Sequence, residues 1–183
     1  MQYKFSVQKL TLVSLCTALM VVFSQIAIPL PFGVPITLQT FGIVLISILL
    51  EEKLASLALF TFMLLGGIGL PVFANFKGGF QMIIGPTGGF IIGFVVMAFI
   101  TGWGAKSGNK FILWIATYVG LIIDYIMGAI QLAIVVKMTF HQALAAGVYP
   151  FIIKDLILTA VAILVASKMK VMLKGVIGQH VKA

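Results

Sequence analysis

The residues best suited to chemistry in this sequence are a few polar and ionisable side chains set in or beside long apolar runs. Asp124 lies near the middle of one run, and Lys154 and Asp155 stand about one helical turn inside another. Asn75 lies between aromatic residues in a stretch rich in loop formers. Because ionisable groups in an apolar setting are costly and usually paired or functional, these four residues are candidate ligand contacts.

Each candidate also has a purely structural explanation. Asp124 shares spacings of three and four with small and polar residues, which predicts a helix face turned into a bundle. That face fits an interhelical hydrogen-bond ladder as well as ligand contact. Lys154 can reach outer headgroups while Asp155 complements a positive helix end, and Asn75 can be a surface turn residue. The face consists of Thr117, Gly120, Asp124, Gly128 and Gln131.

The glycine-rich stretch "GPTGGF", residues 85–90, is not a nucleotide-binding loop. A phosphate-binding P-loop carries a lysine and lies between a strand and a helix, whereas this stretch has no lysine and leads into an apolar run. Pro86 suits the first turn of a helix, where a missing N–H costs nothing. Gly88, Gly89 and Gly93 predict a smooth helix face that a second helix or a flat ligand can approach closely.

Several classes of chemistry are excluded by what the sequence lacks. His141, His180 and the single cysteine, Cys16, lie far apart and form no metal-binding pattern. No nucleophile and base stand at a recognisable spacing, so we expect no enzyme activity and no cofactor. The formal net charge is +8, but the lysines are spread along apolar segments, which favours anionic lipid over nucleic acid as their partner.

The composition indicates which elements must position these residues. The chain is 62% hydrophobic and 9% charged, unlike a soluble domain. Its uncharged runs approach the roughly 20 residues that a helix needs to cross a bilayer, although the second run is short. We therefore predict an all-α polytopic membrane protein, a single-domain bundle of six transmembrane helices over residues 1–183. The six runs are Leu10 to Ile28, Thr37 to Leu50, Leu54 to Leu70, Ile83 to Ala105, Phe111 to Val136 and Phe151 to Ser167.

The lysines predict the orientation, because cytoplasmic flanks carry the excess of positive charge. With both termini cytoplasmic, nine lysines fall inside and three outside. All six prolines, Pro31 among them, then lie outside, which favours an external pocket over ordinary loops. The inner lysines are Lys4, Lys9, Lys53, Lys106, Lys110, Lys168, Lys170, Lys174 and Lys182, and the outer ones are Lys77, Lys137 and Lys154.

Four stretches carry a family resemblance. They are "PLPFGVPITLQTFGIVL" (29–45), "GGIGLPVFANFKGGFQMIIGPTGGFIIGF" (66–94), "DYIMGAIQL" (124–132) and "GVYPFIIKDLI" (147–157). In this order they resemble the BioY family, the biotin-specific S components of energy-coupling factor transporters. The pairing of "GLPVF" with "GPTGG" is the most specific part of the match.

The resemblance implies a substrate-capture subunit of the bacterial cytoplasmic membrane. Such a protein binds biotin with high affinity from outside. It relies on a membrane-embedded T component and two cytoplasmic ATPase subunits for ATP-driven uptake. Two other functions stay open: an autonomous secondary transporter of biotin or a related vitamin, with Asp124 as a proton relay, and a small membrane enzyme or scaffold.

Biotin's chemistry suggests roles for residues within this resemblance. Its ureido ring has two N–H donors and one carbonyl, which suggests Asn75 and Asp155, and its carboxylate suggests Lys154. Asp124 would organise the pocket from beneath. Walls would come from Phe73, Phe76, Gly85, Thr87 and Gly88, and further contacts from Thr37, Gln39 and Tyr125.

This sequence departs from the family pattern in two places. Relatives commonly read Gly-Asp-Leu-Ile-Lys where residues 154–158 read Lys-Asp-Leu-Ile-Leu, so which end of biotin meets this site is open. On the first helix, relatives tend to carry Ala-x-x-x-Ala for docking the T component. Here Ser14, Ala18 and Val22 take those positions, and such small or modest side chains still permit close helix contact.

Overall fold

Seven helices and one short hairpin make up the part of the chain that the structure describes. It is a computed structural model, and it describes residues 7–29 and 34–173. In chain order the elements are α1 (Val7–Gln25), β1 (Ala27–Ile28), β2 (Ile36–Thr37), α2 (Gln39–Gly67), a 3-10 turn (Ala74–Phe76), α3 (Phe80–Ile84), α4 (Gly88–Lys106), α5 (Lys110–Val136), α6 (Phe140–Gly147) and α7 (Tyr149–Leu173). Outside the described residues lie Lys4, Pro31, Lys174, His180 and Lys182, which entered the sequence analysis.

Four of the described helices, α1, α4, α5 and α7, are long and apolar enough to cross a membrane. The predicted helical membrane architecture is confirmed at that level. α2 has 29 residues, but Glu51, Glu52 and Lys53 divide it into two shorter apolar stretches. Those stretches correspond to the second and third predicted runs. A count of six spans therefore requires both halves of α2 to cross, and it stays a prediction.

The two halves of α2 meet at a break in the helical backbone. Glu51 has φ 62° and ψ −178°, a conformation nearly reserved for glycine. α4 comes close at this point, because a Cβ atom on Gly102 would lie 2.5 Å from the backbone nitrogen of Glu52. Lys106 Nζ lies 2.5 Å from Glu52 Oε1, and Lys170 Nζ lies 3.0 Å from Glu51 Oε1. The break is thus tied to both α4 and α7.

The glycines of α4 allow α5 to pack directly against its backbone. A Cβ atom on Gly89 would lie 2.3 Å from the carbonyl oxygen of Met127, and one on Gly93 would lie 2.3 Å from Asp124 Oδ1. No side chain fits there without moving α5 away. The predicted smooth face is confirmed, and a helix rather than a ligand occupies it.

The polar and small-residue face of α5 is turned into the bundle, as predicted. Thr117, Gly120, Asp124 and Gly128 are buried, and Gln131 is half-buried. The opposite side of α5 carries exposed aliphatic side chains such as Ile122 and Ile130, which suit contact with lipid. The spacing of three and four therefore identified the inner face of this helix correctly.

The fourth predicted run, Ile83 to Ala105, is not one continuous helix. It begins at the end of α3, and a tight turn separates α3 from α4. The Gln131 side-chain amide donates to the carbonyl oxygens of Ile83, at 2.7 Å, and Gly85, at 2.8 Å. Because α5 satisfies these carbonyls, the helix does not have to continue through them. Pro86 lies in this turn, before α4 begins at Gly88, so its expected place in the first helical turn is wrong.

A short helix that the sequence analysis did not predict, α6, joins α5 to α7. It begins with a capping box, in which Thr139 Oγ1 accepts from the Gln142 N–H at 3.3 Å and Gln142 Oε1 accepts from the Thr139 N–H at 2.9 Å. The spacing Thr-x-x-Gln is the sequence signature of such a start. α6 also carries Gly147 to the end of the bundle where α7 begins.

Candidate ligand-binding site

The loop over residues 71–77 is held in place by the end of α1. Ser24 Oγ donates to the Val72 carbonyl oxygen at 2.5 Å. The side-chain amide of Gln25 donates to the same oxygen at 3.1 Å and accepts from the Phe76 N–H at 2.9 Å. Two polar side chains of α1 therefore satisfy backbone groups of the loop and fix its shape.

The loop turns through two left-handed residues, Asn75 with φ 59° and Phe76 with φ 55°. Asparagine tolerates this conformation better than most residues, which explains its presence here. The side chain of Asn75 lines a cavity, and none of the described residues hydrogen-bonds to its amide. Phe73, two residues earlier, is 2% exposed, packs edge-on against Phe62 with ring centres 5.4 Å apart, and lines the same cavity.

The hairpin of β1 and β2 places two further polar residues at the cavity. Its register pairs Ala27 with Thr37, directly before α2 begins. Thr37 Oγ1 accepts from the Gln39 backbone N–H at 3.2 Å and donates to Gln39 Oε1 at 3.0 Å. Both side chains line the cavity and both residues are buried. The hydroxyl therefore satisfies the N–H of the first residue of α2 at the cavity wall.

Asp155 is the centre of a buried polar cluster that links α5, α7 and the hairpin. Its Oδ2 accepts from the Tyr125 hydroxyl at 2.7 Å, and its Oδ1 lies 2.7 Å from Lys154 Nζ. Lys154 also donates to the Thr37 carbonyl oxygen at 2.8 Å and lies 5.8 Å from the centre of the Phe151 ring. The side chain of Asp155 is only 4% exposed, so its charge depends on these partners.

Three side-chain oxygens of the cavity lining are buried without a hydrogen-bond partner among the described residues: Asp124 Oδ1, Thr87 Oγ1 and Asp155 Oδ1. Asp155 Oδ1 meets Lys154 as an ion pair at 2.7 Å but without hydrogen-bond geometry. Asp124 is 5% exposed and lies on the inner face of α5. Because an unpaired buried polar atom costs roughly 1 to 3 kcal/mol, such atoms mark places that require a polar partner.

All these groups line one cavity that is open to solvent. Together with the open space at its mouth it measures about 740 Å³. Its donors and acceptors are carboxylates, ammonium groups, amides and hydroxyls, which suit hydrogen bonding. Of the residues predicted from sequence, it brings together Thr37, Gln39, Phe73, Asn75, Thr87, Asp124, Tyr125, Lys154 and Asp155.

Three of the predicted contacts lie outside this lining. Phe76 is 73% exposed, because its left-handed backbone turns it away from Phe73. The Gly85 carbonyl oxygen accepts a hydrogen bond from the Gln131 side-chain amide. A Cβ atom on Gly88 would lie 1.7 Å from the Ile83 carbonyl oxygen. The two glycines therefore serve the turn between α3 and α4, which no pattern in the sequence indicates.

The predicted docking residues lie together on α1. Ser14, Ala18 and Val22 are all exposed and follow one another at one-turn spacing. Cys16 and Met20, on the other side of the helix, are buried. This face of α1 is therefore accessible from outside the bundle.

Several residues of the cavity wall were not predicted from the sequence. The aromatic ones have a visible signal, because Phe90 and Phe94 are four residues apart on α4 and Phe151 precedes Lys154 by three on α7. Lys77 entered only as one of the outer lysines. The residues missed are Val34, Pro35, Thr40, Ala74, Lys77, Met82, Phe90, Ile91, Phe94, Gly147 and Phe151.

Within residues 7–29 and 34–173, no three His, Cys, Asp or Glu side chains are placed to hold a metal ion. The acidic residues of the cavity are Asp124 and Asp155, and Asp155 is engaged by Tyr125 and Lys154.

Comparison with known proteins assigns this chain to a family. The BioY family matches residues 1–175. The biotin transporter BioY of Thermotoga maritima is 44% identical over 155 residues, which cover 84% of this chain and 90% of that protein. The probable biotin transporter BioY of Pyrococcus horikoshii is 37% identical over 163 residues, covering 89% and 96%. A crystal structure of the S component for biotin from an ECF-type ABC transporter matches with a TM-score of 0.82 and 27% identity, over 93% of this chain and 94% of that one.

Proposed function

Because the chain belongs to the BioY family, we propose that its cavity binds biotin and that it is the S component, the substrate-binding membrane subunit, of an energy-coupling factor (ECF) transporter. It is a transport protein of the cytoplasmic membrane and not an enzyme, and biotin is its substrate rather than a cofactor. The observation that carries the proposal is the convergence of Asn75, Tyr125 and Asp155 on one cavity.

The polar wall of the cavity complements the ureido ring of biotin. Asp155 already accepts from Tyr125 and faces Lys154, yet its two oxygens have about four acceptor positions in all. The remaining positions suit the two ureido N–H groups. Asn75 offers an amide N–H, which no described residue engages, to the ureido carbonyl. Phe73 and Phe90 supply apolar walls for the bicycle, since both line the cavity.

Lys154 contributes to this site through Asp155. Its ammonium lies 2.7 Å from Asp155 Oδ1 and donates to the Thr37 carbonyl oxygen at 2.8 Å. A biotin carboxylate bound here would have to share that ammonium with both groups. We therefore assign Lys154 to orienting Asp155, in place of the direct carboxylate contact expected from sequence. Thr37, Gln39, Thr87 and Asp124 are proposed as further polar contacts.

The wider assembly is part of the same proposal. The whole chain, residues 1–183, acts as one substrate-binding domain with six transmembrane spans and both termini cytoplasmic. A single core in which residues of α1, α2, α4, α5 and α7 pack together supports the single domain. The exposed face of α1 with Ser14, Ala18 and Val22 is proposed to dock a membrane-embedded T component. Two cytoplasmic ATPase subunits then drive release.

One observation favours a second candidate, an autonomous transporter. Asp124 is an ionisable residue buried inside the bundle, and its Oδ1 has no hydrogen-bond partner among the described residues, which leaves it able to take up a proton. In that case the chain alone would take up biotin in cells that lack T and ATPase subunits. Asp124→Asn and a protonophore would each abolish that uptake. In the ECF mechanism, uptake requires the other subunits, and a protonophore does not stop ATP-driven uptake while ATP is maintained.

The proposal is tested by calorimetric titration of biotin into the purified, detergent-solubilised protein, with riboflavin and thiamine as controls. We expect saturable one-to-one binding of biotin and no binding of the other two vitamins. A folded protein that gives no heat with biotin and no competition with labelled biotin would contradict the proposed function. The fold is checked in the same sample by a cooperative thermal transition.

A further inference from the structure

The cavity contains a second lysine, and its surroundings differ from those of Lys154. Lys154 is engaged by Asp155, by Thr37 and by the face of the Phe151 ring. Lys77 also lines the cavity, but its side chain has no ion pair or hydrogen bond among the described residues. Within the described residues, it is the lysine of the lining whose donors are available to a ligand.

The backbone at Lys77 is held firmly, so the side chain projects from a fixed point. Its carbonyl oxygen accepts from the Phe73 N–H at 2.9 Å, and its own N–H donates to the Phe73 carbonyl oxygen at 3.3 Å. On its other side, the Gly79 N–H donates to the Gly66 carbonyl oxygen at 2.7 Å. A Cβ atom on Gly78 would lie 2.2 Å from the Leu70 carbonyl oxygen, so this segment packs directly against the end of α2 and the loop after it.

Burial distinguishes the charged residues of the cavity lining. Asp124 and Asp155 are 5% and 3% exposed, whereas Lys77 is exposed. A ligand with a neutral hydrogen-bonding ring and a flexible acidic tail is therefore accommodated with the ring at the buried carboxylates and the tail at the exposed lysine. The reverse orientation would place the ligand carboxylate beside acceptor oxygens of Asp124 and Asp155, where the Lys154 ammonium is already shared between Asp155 and the Thr37 carbonyl oxygen.

We infer that Lys77 is the residue that binds the carboxylate of the ligand and so selects a free acid over its neutral amide. This inference rests on the proposed function, because it takes biotin as the ligand. It separates the roles of the two lysines. Lys77 recognises the acidic tail, and Lys154 positions Asp155 at the ring.

The test compares biotin with biotinamide, which has the same ring and chain but no carboxylate charge. Lys77→Met retains the length of the side chain and removes its charge. We expect it to weaken biotin binding about tenfold and biotinamide binding less than about twofold. Lys77→Arg, which keeps the charge, should restore most of the loss. Lys137→Met, at an exposed lysine outside the cavity lining, is the matched control and should change neither affinity.

Lys154→Met provides the crossed comparison. It should weaken biotin and biotinamide by similar factors, because it acts on Asp155 and not on the tail. Raising the salt concentration should weaken biotin binding to the original protein and to Lys154→Met, but hardly at all to Lys77→Met, since an exposed ion pair is screened.

Three results would overturn the inference. If Lys77→Met weakened the affinities for biotin and biotinamide equally, Lys77 would support the loop and not bind the carboxylate. If neither affinity changed, Lys77 would not belong to the site. A loss selective for biotin in Lys154→Met alone would place the carboxylate at Lys154. In all three, the original protein binds biotin and the proposed function stands. Failure of the original protein to bind biotin would overturn the proposed function, and the inference with it.

Discussion

The four acidic residues of the chain form two pairs in different surroundings. Glu51 and Glu52 lie at the break in α2, and each meets a lysine from another helix. Asp124 and Asp155 lie on α5 and α7 and line the cavity. The first half of α2, 12 residues from Gln39 to Leu50, separates the break from the cavity by about 18 Å at 1.5 Å per residue.

The difference between the pairs lies in the solvent exposure of the groups around them, because Glu52 Oε2, like Asp124 Oδ1, is buried without a hydrogen-bond partner among the described residues. At the break, the side chains of Lys106 and Glu51 are 56% and 42% exposed, so water solvates and screens their charges. At the cavity, Asp155 is almost fully buried and Asp124 has an oxygen without a partner among the described residues. Ion pairs of the first kind hold helices together, whereas carboxylates of the second kind suit a ligand.

The largest expected effect comes from removing one charge at the cavity. Asp155→Asn should weaken biotin binding by about 2 kcal/mol, because the ureido N–H groups lose a charged acceptor and Lys154 loses its ion-pair partner. Competition with labelled biotin measures the change. An affinity within about twofold of the original, in a folded variant, would assign Asp155 to helix packing and remove the contrast between the two pairs.

The same substitution at the other pair should act on stability alone. Glu52→Gln removes the charge that meets Lys106 and should lower the free energy of unfolding by about 1 kcal/mol or less, since Lys106 is more than half exposed. Biotin affinity should not change. Thermal unfolding in detergent, with and without biotin, measures both quantities. A loss of biotin affinity would show that the two charged regions are coupled through α2.

The smallest expected effect is a gain in stability at the break itself. Glu51→Gly relieves a backbone conformation that costs about 1 to 3 kcal/mol for a residue with a side chain. It also loses the Lys170 ion pair and gives the unfolded chain more freedom, each worth under about 1 kcal/mol. The net increase in stability should be about 0.5 kcal/mol.

Lys170→Met is the control for Glu51→Gly, because it removes the same ion pair and leaves the backbone unchanged. Its thermal transition should lie slightly below that of the original protein. If Glu51→Gly unfolds more readily than Lys170→Met, the conformation of Glu51 is not strained, and the break has another cause.

Much of the fold was predictable because apolar length and helical spacing are local properties. The uncharged runs identified α1, α5 and α7 to within a few residues, and the spacing on α5 identified its buried face. The interruption between α3 and α4 was not predictable, because Gln131 from a distant helix supplies the hydrogen bonds that allow it. Pro86 was placed wrongly for the same reason.

The candidate site was predictable in its residue types but not in its contacts. Asn75 and Asp155 stand out in the sequence as polar residues beside apolar runs, and both line the cavity. Phe76 was paired with Phe73 on sequence proximity alone, yet its left-handed backbone turns it outward. Lys77 entered only as an outer lysine, because its lack of an ion pair or hydrogen bond to the described residues is visible only once the surrounding helices are in place.

The sequence by itself determined a helical membrane protein, the inner face of α5 and the family to which the chain belongs, because composition, periodicity and motifs can be read along the chain. Only the tertiary structure decided which charges meet. Lys154 and Asp155 are neighbours in sequence, but Tyr125 and Thr37, which complete their cluster, lie 30 and 117 positions from their partners. Packing of α5, α7 and the hairpin brings them together, and that packing separates the engaged lysine from the available one.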